Sequence, residues 1–322
     1  MSIRTRASSI LIVALLSLAA ASNASAQTNA NTIPQTDADT LTLNVTVRDE
    51  RGRYVTMLGQ QDFKLLDEKT PQPITLFSGD QQPASIGIMI DRSGSLGGGM
   101  GHIRRMAVSD ALLRFIQATH EGSEYFVVGF NRQPQMVVDW TRDRRAVAEG
   151  INRLWETKPL SMTAFYDSCY VGVEKVVRGA HRKHVLLLLT DGQDNNSTYK
   201  FAELKRLIEE TDVLIYAVGL VDTSADGTAF SAAGLAILKE LTTTSGGETW
   251  VPSTKSEMSE TLERIAVELR TQYVIGFKPT VATKERKWRR LKLEAKPPPT
   301  FPPKIKLYTR ARQGYYPPLP LP

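Results

Sequence analysis

Leu41, Leu43, Val45 and Val47 alternate with Thr42, Asn44, Thr46 and Arg48. A period of two marks a strand with one buried face. The turn signal at Asp49–Gly52 follows, and Phe63–Leu65 and Ile74–Phe77 read as further short strands, so residues 40–83 form a β segment. From Ile86 the pattern changes. Ile86–Ile90, Phe126–Phe130, Val185–Leu189 and Val213–Val218 are apolar runs of strand length. Gly87 in the first run marks a close backbone approach. Helical spacings lie between them: Ile103, Ala107, Ala111 and Phe115; Phe165, Cys169 and Val173; Phe201, Leu204, Leu207 and Ile208; Met258, Leu262, Ile265 and Leu269. Strands alternating with helices predict a mostly parallel, doubly wound sheet covered on both faces, over 84–270. Met136–Val138 reads as a short edge strand. After Thr271 the chain returns to β at Tyr273–Phe277, Leu291–Leu293 and Ile305–Leu307. A strand pair alone is marginal, so 271–312 is expected to pack with 40–83 as one small β-sandwich. Pro-rich residues 313–322 form a tail.

Charge and the first residues change this picture in two places. The net charge is +6, but residues 278–312 hold twelve Lys and Arg against two Asp and Glu. The basic character therefore belongs to the C-terminal strands. No zinc-finger, P-loop or RNA-recognition pattern accompanies it, which excludes a nucleic-acid partner. One cysteine excludes a disulfide framework, and four histidines contain no HExxH pair. At the start, Arg4 and Arg6 precede apolar Ile10–Ala21 and then Ala24-Ser25-Ala26. That is the pattern of a secretory signal peptide, residues 1–26, cut after Ala26. Polar residues 27–39 read as a linker. The apolar stretch is shorter than the ~20 residues of a membrane span. The expected protein is secreted or periplasmic, with no transmembrane span after cleavage.

Candidate chemistry sits where the first buried strand ends. Asp91, Ser93 and Ser95 put one carboxylate and two hydroxyls on a tight loop, with Gly94 permitting the turn. In a doubly wound sheet, ligands bind beyond the carboxyl ends of the strands. Thr163, just ahead of a helical pattern, and Asp191, closing the strongest apolar strand, come from the same edge. These are hard oxygen donors, suited to Mg²⁺ or Mn²⁺.

The Asp-x-Ser-x-Ser loop, the later Thr and the strand-ending Asp191-Gly192 resemble the metal-ion-dependent adhesion site of von Willebrand factor type A domains. The resemblance covers about 84–270 and is nearest to bacterial exported members. It implies a Rossmann-like fold in which Ser93, Ser95 and Thr163 meet the metal through hydroxyls, and Asp91 and Asp191 act directly or through water. It further implies binding rather than bond cleavage: capture of an Asp or Glu of another extracytoplasmic protein, in adhesion or scaffolding. Ser161-Met162 replaces two glycines common in relatives, and Gly97–Gly99 is an insertion. Arg92 stands beside the site and is expected to favour an acidic partner. Two other classes stay open. One is a metal-dependent hydrolase using Asp91, although Ser93 stands where such an enzyme wants a second Asp. The other is a metal-free structural module. Asp194 reads as a cap, Cys169 as a core residue, His181 and His184 as a solvated turn, and the C-terminal Lys and Arg as exposed strand faces.

Overall fold

The computed structural model describes residues 40–93, 101–156, 162–220, 228–279, 287–301 and 305–317. Strands β1 (Leu41–Asp49), β2 (Phe63–Asp67), β3 (Thr70–Gln72) and β4 (Leu76–Ser78) come first. The middle of the chain alternates β5 (Ala84–Asp91), α1 (Gly101–Ala118), β6 (Glu124–Phe130), β7 (Pro134–Thr141), α2 (Arg144–Arg153), α3 (Phe165–Val176), β8 (Lys183–Thr190), α4 (Phe201–Glu210), β9 (Leu214–Gly219), α5 (Thr228–Ser245), β10 (Thr249–Trp250) and α6 (Lys255–Thr271). It closes with β11 (Tyr273–Phe277), β12 (Arg289–Ala295), β13 (Leu307–Arg310) and β14 (Gly314–Tyr315).

Six strands form the central sheet in the order β10-β9-β8-β5-β6-β7, parallel except for β7. The side-chain period of two sorts each strand between two cores. Ile86, Ile88, Ile90, Leu187 and Leu189 face one side, packed with Leu112 and Phe115 of α1, Ile151 of α2 and Leu262 and Ile265 of α6. Met89, Phe126, Val128, Leu186 and Leu188 face the other, against Phe165 and Cys169 of α3, Leu204 of α4 and Leu238 of α5. Strands wrapped on both faces read as continuous apolar runs, which is why β5, β8 and β9 are so plain in the sequence. Gly87 is the close approach its position implied: a Cβ there would lie 2.3 Å from Phe126 Cζ and 2.8 Å from Leu186 Cδ1. The Met136–Val138 edge strand is β7, longer than its apolar centre. Helices α2 and α5 and strand β10 have no counterpart in the sequence reading. In α2 the buried face is small, Val147, Gly150 and Ile151, and its start is fixed by Asp143, which caps Arg145 N and Ala146 N.

Both chain ends build the second layer pair, the expected β-sandwich. One sheet runs β13-β1-β11-β4 and the other β14-β12-β2-β3. Leu43 pairs with Ile275, Thr46 with Arg310, and Leu65 with Leu293, all antiparallel. Leu43, Val45, Val47, Phe63, Leu65, Ile275, Phe277 and Tyr315 fill the space between the sheets.

Along the basic C-terminal segment Arg290, Lys292 and Lys306 are exposed as expected, but Arg289 and Arg310 are not. Arg289 grips Asp67, a fully buried carboxylate, at 2.9 Å. Arg310 reaches Glu268 of α6 and Glu248 ahead of β10. Glu268 is itself fully buried and accepts from Thr46 (3.0 Å), Arg48 (2.6 Å), Tyr54 (3.0 Å), Tyr216 and Arg310. Several of these arginines therefore staple strands and helix together. Lys183 is buried too, donating to Leu269 O at 2.7 Å, and burial pulls its ammonium down to about 8. His181 stays in the bend before β8, whereas His184 lies in the strand, meets Asp212 at 2.9 Å and is mostly buried.

Candidate metal centre

Asp91 is the last residue of β5 and is fully buried. Its Oδ1 accepts from Ser93 N at 2.8 Å, a short turn that brings the Ser93 side chain back beside the strand end. Its Oδ2 accepts from Thr190 Oγ1 at 2.7 Å. Thr190 ends β8, the neighbouring parallel strand, and Asp191 follows it. The same Thr190 hydroxyl accepts from Gly192 N at 3.1 Å. Two adjacent strand ends are thus pinned together by one threonine, and the carboxylates of Asp91 and Asp191 stand close. Burial, reinforced by the charge of Asp191, pushes Asp91 up to about 6. Among the described residues no basic side chain pairs with either carboxylate.

Thr163 comes to the same rim from the start of α3. Its N–H donates to Asn195 Oδ1 (2.8 Å), and its carbonyl accepts from Asn195 N (3.0 Å) and Asn196 N (3.1 Å). The loop after Asp191 therefore holds the Thr163 segment. Asp194 takes Phe165 N at 2.8 Å and Tyr166 N at 3.3 Å, capping α3 from another loop. Asp194 is thus a cap, as its sequence suggested, but for a helix remote in sequence. Asp91 and Asp194 both raise the thiol of buried Cys169 further above its ordinary range, after burial itself. That places α3 against the same strand ends, with Cys169 in the core.

Asp91, Ser93, Thr163 and Asp191 are all nearly or wholly buried at one edge of the sheet. Ser95, Gly97–Gly99 and Ser161 lie outside the described residues, as do the leader and linker at 1–39. Arg92 differs from its expected role. It is buried, donates to Gln135 Oε1 at 3.3 Å, and lays its Cδ where a Cβ on Gly129 would stand. Alternation along an extended strand turns it away from Asp91, toward β6 and β7. The sequence reading missed Thr190 and Asn195. Thr190 precedes a strand-ending Asp, and only the pairing of β5 with β8 gives its hydroxyl a role.

Gly192 has φ +78°, and a Cβ there would lie 2.4 Å from Gly234 O. Both facts require glycine. Gly192→Ala is expected to lower stability by about 1–3 kcal/mol and to weaken any metal response, read by urea denaturation with and without Mg²⁺. A variant as stable as wild type would contradict the close approach.

The donor set fits a hard divalent cation. Two carboxylates buried side by side repel each other, and a cation between them would relieve both the repulsion and the lost hydration. Ser93 and Thr163 add hydroxyl oxygens. Among the described residues no three His, Cys, Asp or Glu side chains gather in one place, so the donors are mixed carboxylate and hydroxyl, which suits Mg²⁺ or Mn²⁺ better than zinc or copper.

A mostly parallel sheet wound on both faces, with an Asp-x-Ser turn at its central strand end, defines a doubly wound α/β domain whose candidate site lies at the carboxyl ends of its strands. Residues 86–193 match the von Willebrand factor type A domain family, and the chain contains a domain of that type. No curated protein matches the chain. Among solved structures it is similar to a von Willebrand factor type A protein of Catenulispora acidiphila, with 15% identity over 79% of this chain and 73% of the other, at a TM-score of 0.49. It is also similar to the von Willebrand factor domain of a type V pilus tip protein of Porphyromonas gingivalis, with 12% identity over 59% of this chain and 97% of the other (TM-score 0.46). A third is proximal thread matrix protein 1 of the mussel byssus, solved with zinc in its adhesion-site motif. The identity there is 18% over 62% of this chain and 48% of the other, with a TM-score of 0.47.

Proposed function

We propose that this is an exported binding protein whose Asp91, Ser93, Ser95, Thr163 and Asp191 hold Mg²⁺ or Mn²⁺. An Asp or Glu of another extracytoplasmic protein then completes the metal's shell, in adhesion or scaffolding. One observation carries the reading: two buried carboxylates, Asp91 and Asp191, stand close at neighbouring strand ends with no basic partner among the described residues, beside hydroxyls from two loops. A shell made largely of hydroxyls leaves more of the metal's charge unquenched than one of several carboxylates. An open position on it attracts an acidic group. Binding is favoured over turnover because among the described residues no Lys or His bonds to the site. Export rests on the leader pattern at 1–26. No described helix is long and apolar enough to cross a membrane.

The test is thermal. A ligand that binds only the folded state adds RT ln(1 + [L]/Kd), roughly 1.4 kcal/mol at a tenfold excess over Kd. In a domain of this size that is a rise of about 3–6 °C. Mg²⁺ or Mn²⁺ is expected to produce this rise, and EDTA to reverse it. Asp91→Ala removes the response; Ser93→Ala weakens it, since a neutral donor is lost and both carboxylates stay. Capture of a partner from an extracytoplasmic fraction should require the metal. A wild-type melting curve indifferent to divalent ions would leave the metal-free module as the better reading, and turnover of a generic phosphate ester would favour the hydrolase.

A further inference from the structure

A cleft of about 360 Å³ opens where the C-terminal end of α5 meets β1 and β13, far along the chain from the metal-site residues. Arg48, Lys239, Thr243, Glu248, Thr309 and Arg310 line it, with exposed Tyr308 beside them. A second cleft, of about 390 Å³, shares Thr243, Gly247, Thr309 and Arg310 with it and adds Lys292 and Arg312, so the two form one groove. Ligand sites favour such concave places where two structural layers meet.

The two clefts are lined by the cations Arg48, Lys239, Lys292, Arg310 and Arg312 and by the carboxylate of Glu248. Glu268 and Glu248 answer Arg48 and Arg310. Lys292 meets Glu294 at 2.8 Å. Arg312 rests on two backbone carbonyls, Gly314 O (2.7 Å) and Glu209 O (2.8 Å), and the carboxylates of Asp212 and Glu209 favour its charge. Exposed Lys239 has no carboxylate partner among the described residues. The groove is rich in cations and hydroxyls, and Lys239 is the cation left for a ligand.

We propose that this groove is an anion site, taking a small, multiply charged oxyanion such as a phosphate or a polycarboxylate. Arg310 and Arg48, held in place by Glu268 and Glu248, supply guanidinium donors at its floor. Lys239 and the Thr243 hydroxyl reach the ligand from the α5 side. Guanidinium geometry suits planar or tetrahedral oxyanions. Because Arg48 belongs to β1, Arg310 to β13 and Lys239 to α5, the bound anion would tie the sandwich to the A domain.

The test uses the full chain in EDTA, with inorganic phosphate and citrate as separate probes at constant ionic strength, sodium chloride being the reference. At least one probe is expected to raise the melting temperature saturably at millimolar concentration or below. Lys239→Glu places a repelling charge at an exposed position and should weaken that probe at least tenfold, with the ligand-free melting temperature kept. Thr243→Val should weaken it less. Asp91→Ala should bind the probe as wild type does, which separates this site from the metal centre. If neither probe exceeds the salt reference, or if Lys239→Glu binds as tightly as wild type, the anion site is refuted.

Discussion

Asp91→Asn is expected to make the metal-free protein more stable than wild type at pH 7, by about 1–3 kcal/mol, while abolishing its response to Mg²⁺. The ordinary value for an Asp carboxyl is 3.8, and burial with the neighbouring Asp191 raises it to about 6 in the folded chain. Between pH ~4 and ~6 the folded state therefore holds a proton that the unfolded chain has released. Stability contributed by this group falls as pH rises through that window. At pH 7 the ionised carboxylate costs on the order of 3 kcal/mol. Asparagine removes the charge and keeps an oxygen for Ser93 N, and the Thr190 hydroxyl can rotate to accept from the new amide. Urea denaturation in EDTA at pH 5 and pH 7 measures it. The wild type should lose stability relative to the variant between the two, and the gap should vanish when Mg²⁺ is added. A variant less stable than wild type at pH 7 would show that Asp91 is a structural cap and nothing more.

Glu268→Ala should be the most damaging single change outside the cores, lowering stability by about 3–5 kcal/mol. Burial acts to raise this carboxyl, but Arg310, Tyr216 and Arg48 outweigh it and hold it below the usual carboxylate range. It stays ionised inside the protein because five donors surround it. Removing it leaves Arg48 and Arg310 with only half-exposed Glu248 for a counter-charge. Denaturant midpoints measure the loss, with Glu263→Ala as the reference. Glu263 meets Arg114 at 3.4 Å on the surface, and its loss should change stability by less than about 0.5 kcal/mol. Equal effects from the two would mean that the buried cluster adds little to what holds α6.

The doubly wound sheet was legible because burial on both faces writes itself as unbroken apolar runs. The runs ending at Ile90 and Leu189 marked the two central strands, and the strand-end residues Asp91 and Asp191 followed from them. The sandwich was legible as alternation at Leu41–Val47, and its closure from both ends as a need for partners. Three things were not. Helix α2 shows only a narrow apolar face interrupted by Gly150. The roles of Arg289 and Arg310 depend on carboxylates more than 200 and 40 residues away, so they looked like surface charge. Arg92 sits beside Asp91 in sequence and on the opposite side of the strand in space, a distinction that adjacency in a sequence hides. Thr190 shows the same limit: its hydroxyl joins two strand ends nearly 100 residues apart.

The pairing of β1 with β11 and β13 has a consequence for how the chain comes together. Leu43 and Ile275 are neighbours in a sheet, yet the whole A domain lies between them. The A domain is continuous in sequence and can collapse as soon as its own strands exist. The sandwich must wait for β12 to β14, which leave a ribosome after the whole central sheet. Until then β1 lacks β13 and β2 lacks β12, and each keeps an open edge and an uncovered apolar face, the kind of surface that associates with other chains. Closing so long a loop is far less demanding once the A domain has condensed and drawn Ser85 and Thr271 into the same body. Refolding should therefore show two stages, the central sheet first and the sandwich after it, with the interval between them as the period when this chain is most prone to aggregate.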